Sequence, residues 1–236
     1  WESTKKVGKQ IGGALKAGFA IAAAAAVAFA VKSVSAFVDF EKKITEVSTL
    51  LPNQTEKSFG KMKKDMRELA ETMGVDLIDA TQALYNAISA GIPEGNAVAF
   101  LKDATKLSIA GVTDLSTAVS GLTTVLDAYN MESSEAGKIF DILFATVQNG
   151  KTTIGELAAN IGKVTPLASE LGITFEEVGA MFAVLTKKLG DGKTAEAATQ
   201  IKAMLAELGK EGSKAATAFE NLAGKSFTKF LASGGE

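Results

Sequence analysis

The chain has no cysteine and no histidine. Without cysteine, neither a disulfide nor a thiolate metal site can form. Without histidine, the usual general base, the commonest metal ligand and every histidine-dependent triad are excluded. Only three prolines interrupt 236 residues, so long stretches are free to continue a helix. Runs that alternate polar and apolar residues are missing too, and no strand is expected. Formal net charge is −2, so nothing global draws the chain to nucleic acid or anionic lipid. What is present is 47% hydrophobic and 22% charged, which suits a packed core and not a disordered tail. The chain begins at Trp1, not Met, which reads as a piece of something longer.

The dominant positive signal is helical period. Phe37, Phe40, Ile44, Val47 and Leu51 recur at steps of three and four, with charged residues between them. Phe59, Met62, Met66, Leu69 and Met73 repeat the pattern. So do Leu115, Val119, Leu122, Leu126 and Tyr129, then Phe175, Val178, Phe182, Leu185 and Leu189, then Ala198, Ile201, Leu205 and Leu208. The fold class is therefore all-α: one long N-terminal alanine-rich helix, roughly residues 3–50, then a bundle of about eight to ten shorter helices. The expected domains are 1–52, a packing helix of coiled-coil type, and 53–236, a multi-helix region.

Punctuation separates the stripes. In Ser89-Ala90-Gly91-Ile92-Pro93 the glycine can take a left-handed stop and the proline cannot continue the helix. Thr174-Phe175-Glu176-Glu177 and Thr153-Ile154-Gly155-Glu156 are capping boxes, and Asp76 and Thr113 stand where N-caps belong. Pro166 should break a helix near 162–165. Segments 73–84, 110–122, 149–161 and 171–182 share one plan: Gly, a small or apolar residue, a Thr or Asp cap, then an amphipathic helix. Their uneven spacing favours reused stop and start signals over a true repeat.

Chemical motifs are imitated and incomplete. Gly150-Lys151-Thr152 and Gly192-Lys193-Thr194 resemble the end of a phosphate loop. That motif needs a glycine where Ala145 and Lys187 stand, and a strand before it. Each reads instead as a helix stop followed by a helix start. Ser58-Phe59-Gly60-Lys61 matches the Ser-x-x-Lys spacing of some acylating enzymes without their companion motifs. Lys57, Lys61, Lys63, Lys64 and Arg67 are interleaved with acids, which reads as a solvated helix face. No catalytic, cofactor-binding or metal-binding residue is assigned, and no enzyme activity is expected.

The run AGFAIAAAAAVAFAV, residues 17–31, carries no charge. At the helical rise its 15 residues span about 22 Å, against about 30 Å of hydrocarbon. Lys5, Lys6 and Lys9 before it and Val34-Ser35-Ala36 after it imitate a signal peptide, with an overlong basic region. The third reading continues the first stripe backwards, giving one seam: Phe19, Ala23, Ala26, Ala30, Ser33, Phe37, Phe40, Ile44, Val47 and Leu51. Small side chains at a seam let helices approach closely, and alanine favours helix most. Helix packing fits the run best, with membrane insertion of residues 11–38 as the alternative.

Roughly residues 30–231 resemble the N-terminal core region of phage tail tape measure proteins. The resemblance is carried, in order, by Phe40-Glu41, Ala90-Gly91, Thr113-Asp114-Leu115, Asn149-Gly150-Lys151-Thr152-Thr153, Leu171-Gly172-Ile173-Thr174-Phe175-Glu176-Glu177 and Ala197-Ala198-Thr199. Ala198 departs from the family's small-Gly-Thr pattern. The resemblance implies a structural virion protein that occupies the tail tube lumen, nucleates tube assembly, sets tail length and is released at DNA ejection. It implies self-association, with three copies suggested by a six-fold tube. Tail tube protein, tail tip proteins and tail assembly chaperones are the implied partners, with host membrane at ejection, no cofactor and no specific nucleic acid. The implied location is the virion tail, and the host cytoplasm during assembly.

Overall fold

The computed structural model describes residues 35–234. Among them every regular element is helical and none is a strand. Residues 35–48 form α1. It is followed by α2 (Glu56–Met73), α3 (Leu77–Ser89), α4 (Glu94–Ala110), α5 (Leu115–Tyr129), α6 (Ala136–Asn149), α7 (Ile154–Asn160), α8 (Thr165–Glu170), α9 (Phe175–Leu189), α10 (Thr194–Gly209), α11 (Lys214–Ala223) and α12 (Phe227–Ala232). Short 3-10 turns at Ser133–Glu135 and Ile161–Lys163 precede α6 and α8. The chain separates into two units, Trp1–Thr45 and Glu46–Glu236. Of the expected N-terminal helix, 35–48 is helical, and the part before residue 35 lies outside the described residues.

In the second unit α5 is the central element, packed against α3, α4, α6, α7 and α8. Its sequence allows this because apolar and small residues surround it on all sides. Leu115, Ala118, Val119, Gly121, Leu122, Thr123, Val125 and Leu126 are all buried. Thr123 is tolerated there because its hydroxyl donates to the Val119 carbonyl at 2.9 Å. Gly121 lets α7 come close: a Cβ there would stand 2.9 Å from the Cβ of Ala158. α4 is enclosed in the same way, by α2, α3, α5 and α6, and buries Ala97, Phe100, Leu101, Ala104, Thr105, Leu107 and Ser108. Its apolar residues form no single stripe because neighbours cover it from several directions. Stripe residues Met62, Met66, Leu69, Leu122, Leu126, Val178, Phe182, Ile201 and Leu205 are buried as their spacing implied.

The punctuation is mostly where the sequence placed it. Thr174 with Glu177, and Thr153 with Glu156, form capping boxes, and the Asp76 carboxylate accepts from the amides of Ile78 and Asp79. Pro166 sits in the first turn of α8, after the 3-10 turn that ends α7. One cap is shifted. Asp114, not Thr113, caps α5, accepting from Thr117 N at 2.8 Å. Thr113 is taken by the preceding helix: its amide donates to the Ser108 carbonyl at 3.0 Å and closes α4.

That closure is one of five of the same type. In each, an amide two or three residues past the helix reaches back five residues: Val75 to Ala70, Ile92 to Ala87, Thr113 to Ser108, Met131 to Leu126, and Ile173 to Ala168. The residue between must be left-handed. Four are Gly74, Gly91, Asn130 and Gly172, the residue types that take this conformation cheaply. The fifth is Val112, at φ 49° and 93% exposed. The adjacent Gly111 serves a different need, since a Cβ there would meet Ile154 Cγ1 at 2.4 Å.

Val112→Gly is therefore expected to raise stability by about 0.5–1 kcal/mol, relief of left-handed strain outweighing the entropy of glycine in the unfolded chain. An unfolding midpoint that falls in urea melts would show that this valine is not strained.

Candidate functional site

The two Gly-Lys-Thr segments, 42 residues apart in sequence, meet in space. Thr152 Oγ1 and Thr194 Oγ1 are 2.8 Å apart. Thr194 donates to Glu156 Oε2 at 3.0 Å, and the same oxygen accepts the Thr153 amide at 3.2 Å within the capping box of α7. Thr152 also lies 3.3 Å from that oxygen. One proton per hydroxyl is enough: Thr152 donates to Thr194, and Thr194 to Glu156. Behind them the Lys151 amide donates to Thr186 Oγ1 at 3.1 Å, and Thr186 donates to the Phe182 carbonyl at 2.6 Å. This knot ties the α6–α7 loop and the first turn of α7 to the end of α9 and the start of α10.

At Gly150 the same geometry closes off a phosphate cradle. A phosphate loop needs backbone amides turned into an open concavity. Here Gly150 lies flat on α9, where a Cβ would stand 2.7 Å from Thr186 Oγ1 and 3.0 Å from Ala183 Cα. The Lys151 amide is already committed to Thr186. Lys193 Nζ pairs with Glu196 at 3.3 Å. Titration calorimetry is expected to show no micromolar ATP binding; binding lost on Lys151→Ala or Lys193→Ala would reverse this reading.

The remaining motifs resolve into local structure. Ser58 completes the capping box of Thr55, and Lys61 pairs with Asp65 at 2.6 Å on the exposed face of α2. Lys63 lies over the Phe59 ring at 4.5 Å. Among the described residues no group of three acidic side chains is placed to hold a metal ion.

Lys138 on α6 pairs with Glu176 on α9 at 2.8 Å, which raises the lysine and lowers the glutamate from their ordinary pKa values. Hydrogen bonds from the Thr117 hydroxyl and amide hold the Asp114 carboxyl below its usual range. Both carboxylates have depressed folded values. Their contributions are present above the ordinary carboxylate range and fade as pH falls through the folded values. Exposed groups of this kind contribute little to stability.

Of the proposed seam, Phe19, Ala23, Ala26, Ala30 and Ser33 lie outside the described residues. Phe40, Ile44 and Val47 are buried, Leu51 is half-buried and Phe37 is 55% exposed. No single helix among the described residues is long and apolar enough to cross a membrane. Only α4 and α5 taken together pass that test, and they are bent by 118°.

Two surface features were not anticipated from sequence. A groove of about 420 Å³ runs along α6 and α9, between Ile142, Ala145, Gly179, Ala180 and Val184. A second, of about 360 Å³, lies between the starts of α3 and α5, walled by Val75, Ile109 and Leu115 and rimmed by Asp76, Asp79 and Asp114. The sequence signal is only that a valine, Val112, follows the glycine where a helix must close; its exposure is not readable there.

Comparison with known proteins places these features in a family context. The family described as Phage-related minor tail protein matches residues 63–234. The chain is 35% identical over 214 residues to the probable tape measure protein of Clostridium phage phiCD119, covering 86% of this chain and 22% of that protein. It is 21% identical over 182 residues to the tape measure protein of Pneumococcus phage Dp-1, covering 77% of this chain and 16% of that protein. The chain thus spans about a fifth of the length of these curated relatives. No solved structure matches it.

Proposed function

Since the chain belongs to the phage-related minor tail protein family, we propose that it is the folded core region of a tape measure protein, a structural component of the phage tail. The observation that carries this reading is the likeness to two tape measure proteins along most of the chain. The absence of histidine and cysteine, and the close packing of Gly150 on α9, agree with a structural role.

A ruler made of helix adds about 1.5 Å per residue, so the length of an uninterrupted rod can set a tail length. The described residues form a region of twelve α-helices, the longest being α2 with 18 residues. It is folded back on itself around α5 and is a poor rod. In the proposed division of labour the rod lies elsewhere in the full-length protein. This region docks or nucleates within the tail tube lumen, and the protein leaves before DNA passes. Tube, tip and chaperone proteins are the proposed partners, first in the host cytoplasm and then in the virion.

The test is genetic. In-frame deletions in the rod are expected to shorten tails in proportion to the residues removed. Deletions inside 76–189 are expected to abolish tails, because they cut through the packing around α5. Phage with tails merely shortened by an internal deletion of that kind would contradict the proposal.

Self-association through the seam, in three copies, belongs to the same reading. Ala23→Leu with Ala26→Leu is expected to weaken it in sedimentation velocity, since overpacking costs about 1–3 kcal/mol per site. Unchanged association with stronger liposome binding would assign residues 11–38 to a membrane instead.

A further inference from the structure

We propose that the α4–α5 turn is a docking surface for another tail protein, through a segment carrying a branched apolar side chain beside lysine or arginine. This rests on the tail reading above.

Val112 stands apart from the other left-handed helix closures. Four of five equivalent helix closures carry Gly or Asn at the left-handed position, and this one carries a β-branched residue. The side chain gains nothing from the core, being 93% exposed. One turn earlier on α4, Ile109 is 54% exposed. A strained backbone that presents a valine to solvent beside an exposed isoleucine is a poor solution for folding. It is a good one for an apolar contact with something else.

The surroundings say what that something carries. The adjoining groove is walled by Val75, Ile109 and Leu115 and rimmed by three aspartates, with no lysine or arginine lining it. Two helix N-termini, those of α3 and α5, also open here, each equivalent to roughly half a positive charge. Three carboxylates outweigh them by about two charges. The groove therefore favours a cationic segment with an aliphatic side chain, and its association should weaken with salt. Its volume suits a few side chains of a segment and not a folded domain. The larger α6–α9 groove offers no such selectivity, since Glu176 and Lys187 both line it.

The test introduces Val112→Gly, and separately Asp79→Lys, into the full-length gene in the phage, with the core variant Leu122→Asp as a control. Both surface variants are expected to lower the yield of tails seen by electron microscopy at least tenfold. The purified Val112→Gly chain should nevertheless unfold at a higher midpoint than wild type. Suppressors of Asp79→Lys should replace lysine or arginine with an acid in a second tail protein. Wild-type tail yields from both surface variants, with none from the core variant, would overturn the docking surface and leave the tail reading standing. Normal tails from the core variant as well would overturn both.

Discussion

Phe182→Ala is expected to destabilise the fold by about 3–5 kcal/mol, the range for a fully buried phenylalanine replaced by alanine. Phe182 is fully buried at the middle of α9, which packs against α6, α8 and α10. The cavity cannot collapse cheaply on the α6 side, because that helix is already in close contact. A Cβ at Gly179 would stand 2.6 Å from Thr146 Oγ1 and 3.0 Å from Ile142 Cγ2. Val184→Ala, two residues along the same helix, is expected to stay within about 0.5 kcal/mol, since Val184 is 67% exposed. Urea melts with a lowered midpoint and unchanged slope would show this contrast. Equal effects at the two positions would mean that α9 is rotated about its axis. A loss of 3–5 kcal/mol is a large part of the 5–15 kcal/mol typical of a domain, so Phe182→Ala should also deplete assembled tails.

Thr194→Val is the second large effect, at about 1–3 kcal/mol. The shape is kept and only the hydroxyl is lost. Thr194 is 1% exposed, and the hydroxyl is a donor to Glu156 Oε2 and an acceptor for Thr152. Its removal leaves Thr152 and Glu156 only the longer 3.3 Å contact with each other in a part-buried place. Thr194→Ser should retain most of the stability, and Lys193→Ala should cost less than about 0.5 kcal/mol because that side chain is on the surface. Native-state hydrogen exchange gives a local readout: the amides of Lys151 and of the first turn of α7 should lose protection first. Loss confined to α10 would show that the knot does not join the two loops.

The two Gly-Lys-Thr segments illustrate what was legible and what was not. Each is readable as a helix stop followed by a helix start: Gly150 does close α6 and Thr194 does open α10, but α9 is closed by Gly190 and not by Gly192. Their meeting at 2.8 Å was not readable, because it depends on how α6, α7, α9 and α10 pack. The α4–α5 turn fails at a finer level. In Ala110-Gly111-Val112-Thr113-Asp114 the glycine invites the left-handed assignment and the threonine the cap. Both functions fall one residue later, on Val112 and Asp114. Gly111 serves a contact remote in sequence instead: Ile154 occupies the space where a side chain at position 111 would go.

The sequence by itself determined that the described chain is helical throughout, and where most helices begin and end. Those choices are made within a turn of backbone, by carboxylates and hydroxyls reaching amides three residues away and by residues able to turn left-handed. It also settled that histidine and cysteine chemistry is absent, since no arrangement can supply a missing side chain. Only the tertiary structure decided that α5 is the centre, that α4 is covered from several sides, and that Val112 and Ile109 stand in solvent beside an acidic groove. Burial is a relation between segments far apart in sequence. A helix covered on several sides shows no periodic stripe, and an exposed valine reads the same as a buried one until its neighbours are in place.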